Sequence, residues 1–365
     1  EVAVDLEGRM GIEKIRINSA AFVVCERRGG QCQQVLEHQM SVVSVVLLAV
    51  VVLAPLLACA LSLWWGGLKL LKLVRIVPRD ERYLVERKWV RNGALVVAAL
   101  SVALFLYGWL IEAHWVAVTH LEFPVARPIL GKERLRIVHL SDLHVESSGR
   151  RERSLVDLVN AQEPDMILLT GDYLNARSGI PILKEILAGF KAKYLYGVEG
   201  NWDRKFEIAR VFEDAATLRR ARDPSCDTRL LVDDSVNMGG PDGRLVIAGL
   251  ALTSRLKTSD ILRAKGEKGY AVFLHHWPDI VEEIDLAGVD LLLCGHTHGG
   301  QVCLPLYGAL ITLSRTHKKY ESGLFMIGAT RLYVTRGVGV EGGPAPRLRL
   351  FCRPEVAIID LVKTP

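Results

Sequence analysis

Side chains that can bind metal ions follow several apolar runs in the second half of the chain. They occur in five short motifs: Asp142-Leu143-His144, Gly171-Asp172, Gly200-Asn201-Trp202-Asp203, His275-His276-Trp277-Pro278-Asp279 and Gly295–Gln301. Each motif alone is typical of a turn or a helix cap. Together they offer carboxylates, an amide oxygen and imidazoles, which suit Mn, Fe or Zn ions. The ligands outnumber what one ion needs, so the set predicts two divalent ions that could hold a phosphoryl group.

Apolar strand patterns must place these motifs at one edge of a sheet. The predicted strands are Leu135–Leu140, Asp165–Thr170, Tyr194–Val198, Leu245–Leu250, Ala271–Leu274, Asp290–Cys294, Leu332–Thr335 and Glu355–Leu361. Helical patterns cover Arg151–Gln162, Pro181–Phe190, Lys205–Leu218 and Pro278–Ala287. This alternation predicts an α/β fold, in which sites lie at the ends of the strands.

Two uncharged apolar runs precede this part of the chain, from Met40 to Leu68 and from Gly93 to Ile111. Each reaches the roughly 20 residues that a helix needs to cross a bilayer. We therefore expect membrane-spanning helices at Ser41–Trp65 and Ala94–Val118. The alternative for each run is a buried core helix, which two uncharged runs of this length make the weaker interpretation.

The 365 residues divide into four predicted regions. Residues 1–39 show poor periodicity and are interpreted as a poorly structured tail or a misassigned start. Residues 40–118 form a transmembrane hairpin with a basic connecting loop. Residues 119–133 contain two prolines and a glycine, and predict a linker. Residues 134–365 form one globular domain.

The net charge of +5 is concentrated between the two apolar runs, where Gly66–Arg91 holds eight Lys and Arg residues against three acidic ones. A basic segment between two spans is typical of contact with anionic lipid headgroups. No basic motif with interleaved aromatic residues indicates nucleic acid, and no protein partner is indicated. The positive-inside bias predicts a cytoplasmic basic loop and a globular domain on the outer face.

The ordered motifs resemble those of the calcineurin-like metallophosphoesterase superfamily over Arg134–Leu361. The match is closest to its membrane-associated bacterial branch, which includes cell-envelope phosphoesterases and UDP-2,3-diacylglucosamine pyrophosphatases. Gly295–Gln301, Val334–Val340 and Leu350–Glu355 resemble that branch in particular. The resemblance implies a two-sheet α/β sandwich flanked by helices and two bound divalent metal ions.

The resemblance also implies a role for each motif residue. Asp142, His144 and His298 would hold one ion, Asn201, His276 and His296 the other, and Asp172 would bridge them. His276 is preferred to its neighbour His275 because it stands directly before the Trp-Pro-Asp sequence. Asp172, Asn201 and His298 are the residues expected to take part most directly in catalysis.

Two further positions are predicted to contact the substrate. The family usually has a histidine where this chain has Trp202, and that histidine protonates the leaving group. We therefore expect metal binding without general acid catalysis from position 202, whose ring could instead contact the substrate or only fill space. Arg336 could bind a phosphate group through two hydrogen bonds, and a surface salt bridge is the equal alternative.

These features predict a metal-dependent phosphoesterase that hydrolyses a phosphodiester or pyrophosphate bond. The membrane anchor indicates a phosphorylated, lipid-linked or cell-envelope substrate and a multi-pass protein of the bacterial inner membrane. One alternative is a catalytically weak or inactive membrane scaffold with the same fold. A nuclease is the other alternative, and the missing basic groove argues against it.

Overall fold

The structure is a computed structural model that describes residues 57–74, 87–240, 243–252, 269–341 and 347–364. The predicted tail 1–39 lies outside these ranges. So do residues 41–56 of the first predicted span and residues 75–86 of the basic segment.

Helices and strands alternate along the described part of the chain. The helices are α1 (57–73), α2 (Lys88–Leu110), α3 (Arg150–Asn160), α4 (Ile180–Gly189) and α5 (Ile208–Arg222). The strands up to the site are β1 (Ala117–Val125), β2 (Arg134–Leu140), β3 (Met166–Leu169), β4 (Tyr194–Gly197), β5 (Asp227–Leu230), β6 (Asp234–Met238), β7 (Leu245–Gly249), β8 (Tyr270–Leu274) and β9 (Leu291–Cys294). The remaining strands are β10 (Cys303–Leu304), β11 (Gly308–Ala309), β12 (Gly323–Ile327), β13 (Thr330–Val334) and β14 (Glu355–Lys363).

Two six-stranded sheets form the core of the described residues. The first has the order β1-β14-β2-β3-β4-β5, and the second has the order β12-β13-β9-β8-β7-β6. Strands β2 to β5 run parallel to one another, as do β7, β8, β9 and β13. Because parallel strands end at the same edge, the loops that follow them come together there.

The sheets pack face to face, and side chains of both inner faces share one hydrophobic cluster. Ile137 and Leu168 of the first sheet meet Ile247 and Leu293 of the second there. The alternate side chains of β2, such as Val138, point to the other face and pack with α3, α4 and α5. Burial on both faces explains why these strands are almost continuously apolar in the sequence.

All eight predicted strands are present with ends that differ by no more than two residues. The α/β class and the sandwich are thus confirmed. The predicted helix Pro278–Ala287 is wrong, because only a 3-10 turn at Pro278–Glu282 forms. Lys205–Leu218 is shifted, because Asp203–Lys205 makes a separate turn before α5 begins at Ile208.

The N-terminal edge of the domain also differs from the prediction. Part of the predicted linker 119–133 is β1, which pairs in parallel with β14 from Ala117 opposite Glu355 to Val125 opposite Lys363. Its apolar residues alternate, and Phe123 is buried in the core between the sheets. Pro124 is tolerated because β1 is an edge strand. The second predicted span, Ala94–Val118, therefore extends too far.

Helix α2 and the turn after it form the one segment of the described residues that is long and apolar enough to cross a membrane, Lys88–His114. Most of its surface is exposed. Its end is attached to the domain by hydrogen bonds to backbone oxygens: the Arg349 backbone N–H donates to Gly108 O at 3.2 Å, and the Arg353 side-chain Nε donates to Trp115 O at 3.0 Å. Glu112 Oε1 accepts from Cys352 N–H at 2.6 Å.

If β1 belongs to the folded domain, Phe123→Ala should lower the free energy of unfolding by about 3 kcal/mol, because it removes a buried aromatic ring. Glu122→Ala changes an exposed side chain of the same strand and should have little effect. Denaturant unfolding of the full chain in detergent measures both. Equal stabilities for the two variants would mean that 117–125 is a linker.

Candidate metal centre

The seven predicted ligands all lie in loops that follow parallel strands. Five of them, Asp142, His144, Asp172, His296 and His298, have positive φ angles between 46° and 73°. Residues other than glycine seldom adopt this backbone conformation, and such strain is concentrated at functional sites. Backbone hydrogen bonds hold it in place, as from Asp142 N–H to Gly171 O at 2.9 Å and from His144 N–H to Asp172 O at 3.0 Å.

The first ligand cluster consists of Asp142, His144 and His298, whose ligand atoms lie within 4.8 Å of one another. His298 Nε2 is 3.1 Å from His144 Nε2 and 3.3 Å from Asp142 Oδ1. All three side chains are buried. They are the three residues predicted for one ion.

The second cluster consists of Asp172, His276 and His296, again within 4.8 Å. Asn201 joins it, since its Oδ1 is 3.1 Å from His276 Nε2. The side chain of Asn201 is fixed by Trp277, whose indole Nε1 donates to the same oxygen at 3.0 Å. The structure therefore brings together the residues predicted for the other ion.

The Asp172 carboxylate lies between the two clusters. Its Oδ2 is 3.3 Å from His276 Nε2 and 3.8 Å from His144 Nε2. Its Oδ1 accepts a hydrogen bond from Trp202 N–H at 2.9 Å. One carboxylate is thus near imidazoles of both clusters, as a bridging ligand requires.

Two of the ligand imidazoles, His144 and His276, are oriented by the nitrogen that faces away from the cluster. Nδ1 of His144 is 2.7 Å from Asn175 Oδ1, and Nδ1 of His276 is 2.7 Å from Thr170 O. Because these partners are acceptors, Nδ1 carries a proton, and in the neutral ring Nε2 has a free lone pair. Metal-ligating histidines are commonly oriented in this way. The donor atoms therefore fit divalent metal ions.

Burial and charge set the protonation of the site before a metal binds. Burial lowers the pKa of His144 and of His296 to about 4. Burial also acts against the charged form of His276, but the Asp172 carboxylate outweighs it and raises the pKa of His276 to about 9. Burial raises the pKa of Asp142 to about 7.

His275 lies outside the cluster. Its Nδ1 is 2.8 Å from Trp277 O, whereas His276 points into the site. Trp202 lies beside the first cluster, with its ring edge-to-face with His144 at a centroid distance of 5.8 Å. Its Nε1 donates to Glu341 Oε1 at 3.0 Å, and Lys205 Nζ lies 4.1 Å from its ring centre.

Arg336 is not a member of either ligand cluster. Its Nη2 is 3.2 Å from Glu355 Oε1, and its Nε donates to Arg353 O at 3.1 Å. Glu355 is buried, so the salt bridge is internal and not at the surface. The structure thus has a salt bridge at Arg336 but not the predicted surface one, and the contact of Arg336 with a phosphate group stays a prediction.

Several residues that support the site were not predicted. The buried guanidinium of Arg349 donates to the backbone oxygen of His298 at 3.2 Å and lies 3.3 Å from Nδ1 of the same histidine. The buried Asp203 carboxylate accepts from three backbone N–H groups, those of Asp172, Tyr173 and Gly200. Glu341 Oε2 is 3.7 Å from His298 Nε2. Only Asp203 had a sequence signal, since it ends the Gly200–Asp203 motif.

Comparisons with known proteins agree with this geometry. The profile of the calcineurin-like phosphoesterase family matches residues 135–300. The chain is 30% identical over 270 residues to the uncharacterized metallophosphoesterase YkoQ of Bacillus subtilis, covering 72% of this chain and 96% of that one. It is 27% identical over 291 residues to the metallophosphoesterase YkuE of the same organism (74% and 95%). It is 30% identical over 236 residues to the phosphodiesterase YaeI of Escherichia coli (62% and 82%).

The sandwich, the strand-end ligands and these similarities define a metallophosphoesterase. The chain belongs to the calcineurin-like phosphoesterase family. Proteins of this family use a dinuclear divalent metal site, and membership indicates a metal-dependent phosphoester hydrolase.

Metal binding should release a proton from His276. At pH 8 this imidazole, with a pKa of about 9, is mostly protonated, while Asp142 is mostly ionised. A metal requires the neutral imidazole, so about one proton should leave per chain, and affinity should rise with pH up to about 9. Zinc titration calorimetry of the metal-free full chain, in buffers of different ionisation enthalpy, measures this number.

His275→Gln is the control, because that ring lies outside the cluster, and it should leave proton release unchanged. His276→Gln should abolish it. A binding enthalpy that does not depend on the buffer in the wild type would contradict the assignment.

Proposed function

We propose that this chain hydrolyses a phosphodiester or pyrophosphate bond with two divalent metal ions. The observation that carries the proposal is the position of Asp172, whose one carboxylate oxygen is close to imidazoles of both ligand clusters. When bound, two ions would neutralise charge on the phosphoryl group and lower the pKa of a water molecule.

The chain supplies the arrangement around those ions. Asp142, His144 and His298 would hold one ion, Asn201, His276 and His296 the other, and Asp172 both. The N–H of Trp202 donates to Asp172, and Asn175 Oδ1 and Thr170 O accept from the Nδ1–H groups of His144 and His276, which fixes the orientation of these ligands.

The leaving group should be one that departs without a proton from position 202. The indole of Trp202 occupies the place beside the first cluster where the family usually has a histidine, and its N–H is used by Glu341. An indole does not titrate near neutral pH. A phosphate or nitrophenolate leaves as an anion, whereas an alkoxide requires a proton. Diesters with good leaving groups and pyrophosphates therefore fit this site best.

We also propose that the protein is anchored in the bacterial inner membrane by two spans and that its substrate is a lipid-linked or cell-envelope phosphoester. Support comes from the apolar segment Lys88–His114, which leads directly into β1 of the domain. The basic residues of the connecting segment 66–91 favour a cytoplasmic position for residues 66–91 and an outer position for the globular domain.

Asp172→Asn should lower the turnover of bis(p-nitrophenyl) phosphate by at least about 100-fold, since even the loss of a group that only supports a ligand costs 10- to 100-fold. Asp157→Asn makes the same change on the exposed side of α3 and should retain wild-type turnover. Activity is measured after removal of metal and after addition of manganese. Equal activity of Asp172→Asn and wild type would overturn the ligand assignment.

Trp202→His should selectively accelerate substrates with poor leaving groups. General acid catalysis contributes about 10²–10⁴-fold to such reactions, so an alkyl phosphodiester should gain at least about tenfold while bis(p-nitrophenyl) phosphate changes little. Trp202→Phe removes the indole N–H without adding a titratable group and serves as the control. A similar change on both substrates, or the same gain in Trp202→Phe, would refute this role.

The proposed orientation is tested with a reporter enzyme fused after Pro365. A reporter that is active only outside the cytoplasm should give signal, because the domain follows the outer end of the second span. Activity of a cytoplasm-only reporter at the same position would reverse the orientation.

A further inference from the structure

Exposed apolar side chains occur in the two segments that contact the metal ligands His296 and His298. Leu306 is fully exposed at the tip between β10 and β11, and Ile311, Leu313 and Phe351 are each more than half exposed. We call these four residues the apolar rim. Single exposed apolar residues are ordinary, but a group next to a site indicates a binding surface.

Two residues of the rim, Leu313 and Phe351, lie close to metal ligands. The carbonyl of Leu313 lies 3.4 Å from His296 Nε2. Phe351 precedes Cys352, whose thiol donates to His298 O at 3.3 Å. The rim thus includes residues next to a ligand of each cluster.

The same segment is attached to the end of the apolar helix. The backbone N–H of Arg349 bonds to Gly108, and that of Cys352 bonds to Glu112. Phe351 lies between these two attachments in the sequence. The hairpin β10–β11 joins the segment as well, through the hydrogen bond from Cys303 N–H to Leu350 O at 2.9 Å.

The dimensions of α2 set the depth of this attachment in a membrane. Its 23 residues give a length of about 35 Å, and the hydrocarbon core of a bilayer is about 30 Å thick. Trp109 and Trp115 are exposed near its end, and the Arg353 guanidinium stacks on Trp115 at 3.9 Å. Tryptophan is enriched at the headgroup level of membranes. If α2 spans the membrane as proposed, a segment bonded to this end lies at the membrane surface.

We propose that the apolar rim rests on the phospholipid bilayer from which α2 emerges, so that the metal centre takes its phosphodiester from a lipid in that membrane. This inference rests on the proposed function, and it names the source of the substrate. The attachment of the rim segment to the end of α2, through the N–H groups of Arg349 and Cys352, favours lipid as the occupant over a second copy of the chain.

The kinetic test uses the full chain in vesicles of phosphatidylcholine and phosphatidylglycerol at 3:1. Two probes share one leaving group: soluble bis(p-nitrophenyl) phosphate and membrane-embedded phosphatidyl-p-nitrophenol. Leu306→Asp and Phe351→Asp should each lower turnover of the lipid probe about tenfold, the factor that the burial of one large apolar side chain can supply. Turnover of the soluble probe should not change.

Leu218→Asp is the matched control, because Leu218 is equally apolar and exposed on α5, away from the rim. It should affect neither probe. If the wild type hydrolyses neither probe, the proposed function is refuted. If the rim variants hydrolyse both probes as fast as the wild type does, only the proposed role of the rim is refuted.

A second measurement does not depend on activity. A benzophenone amino acid in place of Leu306, after illumination in the same vesicles, should give a lipid adduct that mass spectrometry detects. The same substitution at Leu218 should give none. An adduct with a second protein chain at position 306, in place of lipid, would overturn the proposal.

Discussion

The carboxylate of Asp172 is the group on which the arrangement of the site depends. It lies at a left-handed backbone position, between imidazoles from two loops that belong to different sheets. The buried Asp203 carboxylate holds the backbone of Asp172 and of Gly200 together. A Cβ atom at position 200 would come within 2.1 Å of Asp172 Oδ1, so only glycine allows this approach.

Pairing of each buried polar group with a partner, as Asp203 does for Asp172, explains why a sandwich of two apolar sheets tolerates so many buried polar groups. Buried carboxylates and imidazoles are costly unless each has a partner. In this site every ligand imidazole has a second contact, such as that of Asn175 with His144 or of Arg349 with His298. Arg349 has a further role, because its backbone bonds to the end of α2 while its side chain contacts His298. The apolar helix and the metal centre are therefore linked through one residue.

Much of this structure could be predicted from the sequence because its signals are local. An apolar run such as 166–169 predicts a buried strand, and a carboxylate just after it predicts a strand-end ligand. The strand β1 was missed because Pro124, the nearby Pro128 and the position after an apolar run indicated a linker, whereas its pairing with β14 joins residues about 240 positions apart. Arg349 and Glu341 were missed for the same reason, since nothing near them in the sequence shows that they fold against His298.

X-ray absorption at the metal edge of the manganese-loaded full chain tests the central claim most directly. If Asp172 joins two ligand clusters, the spectrum should contain scattering from a second metal at about 3.5–4 Å, the separation of ions that clamp a phosphoryl group. That scattering should disappear in Asp172→Asn. A wild-type spectrum with scattering from light atoms alone would contradict a dinuclear centre.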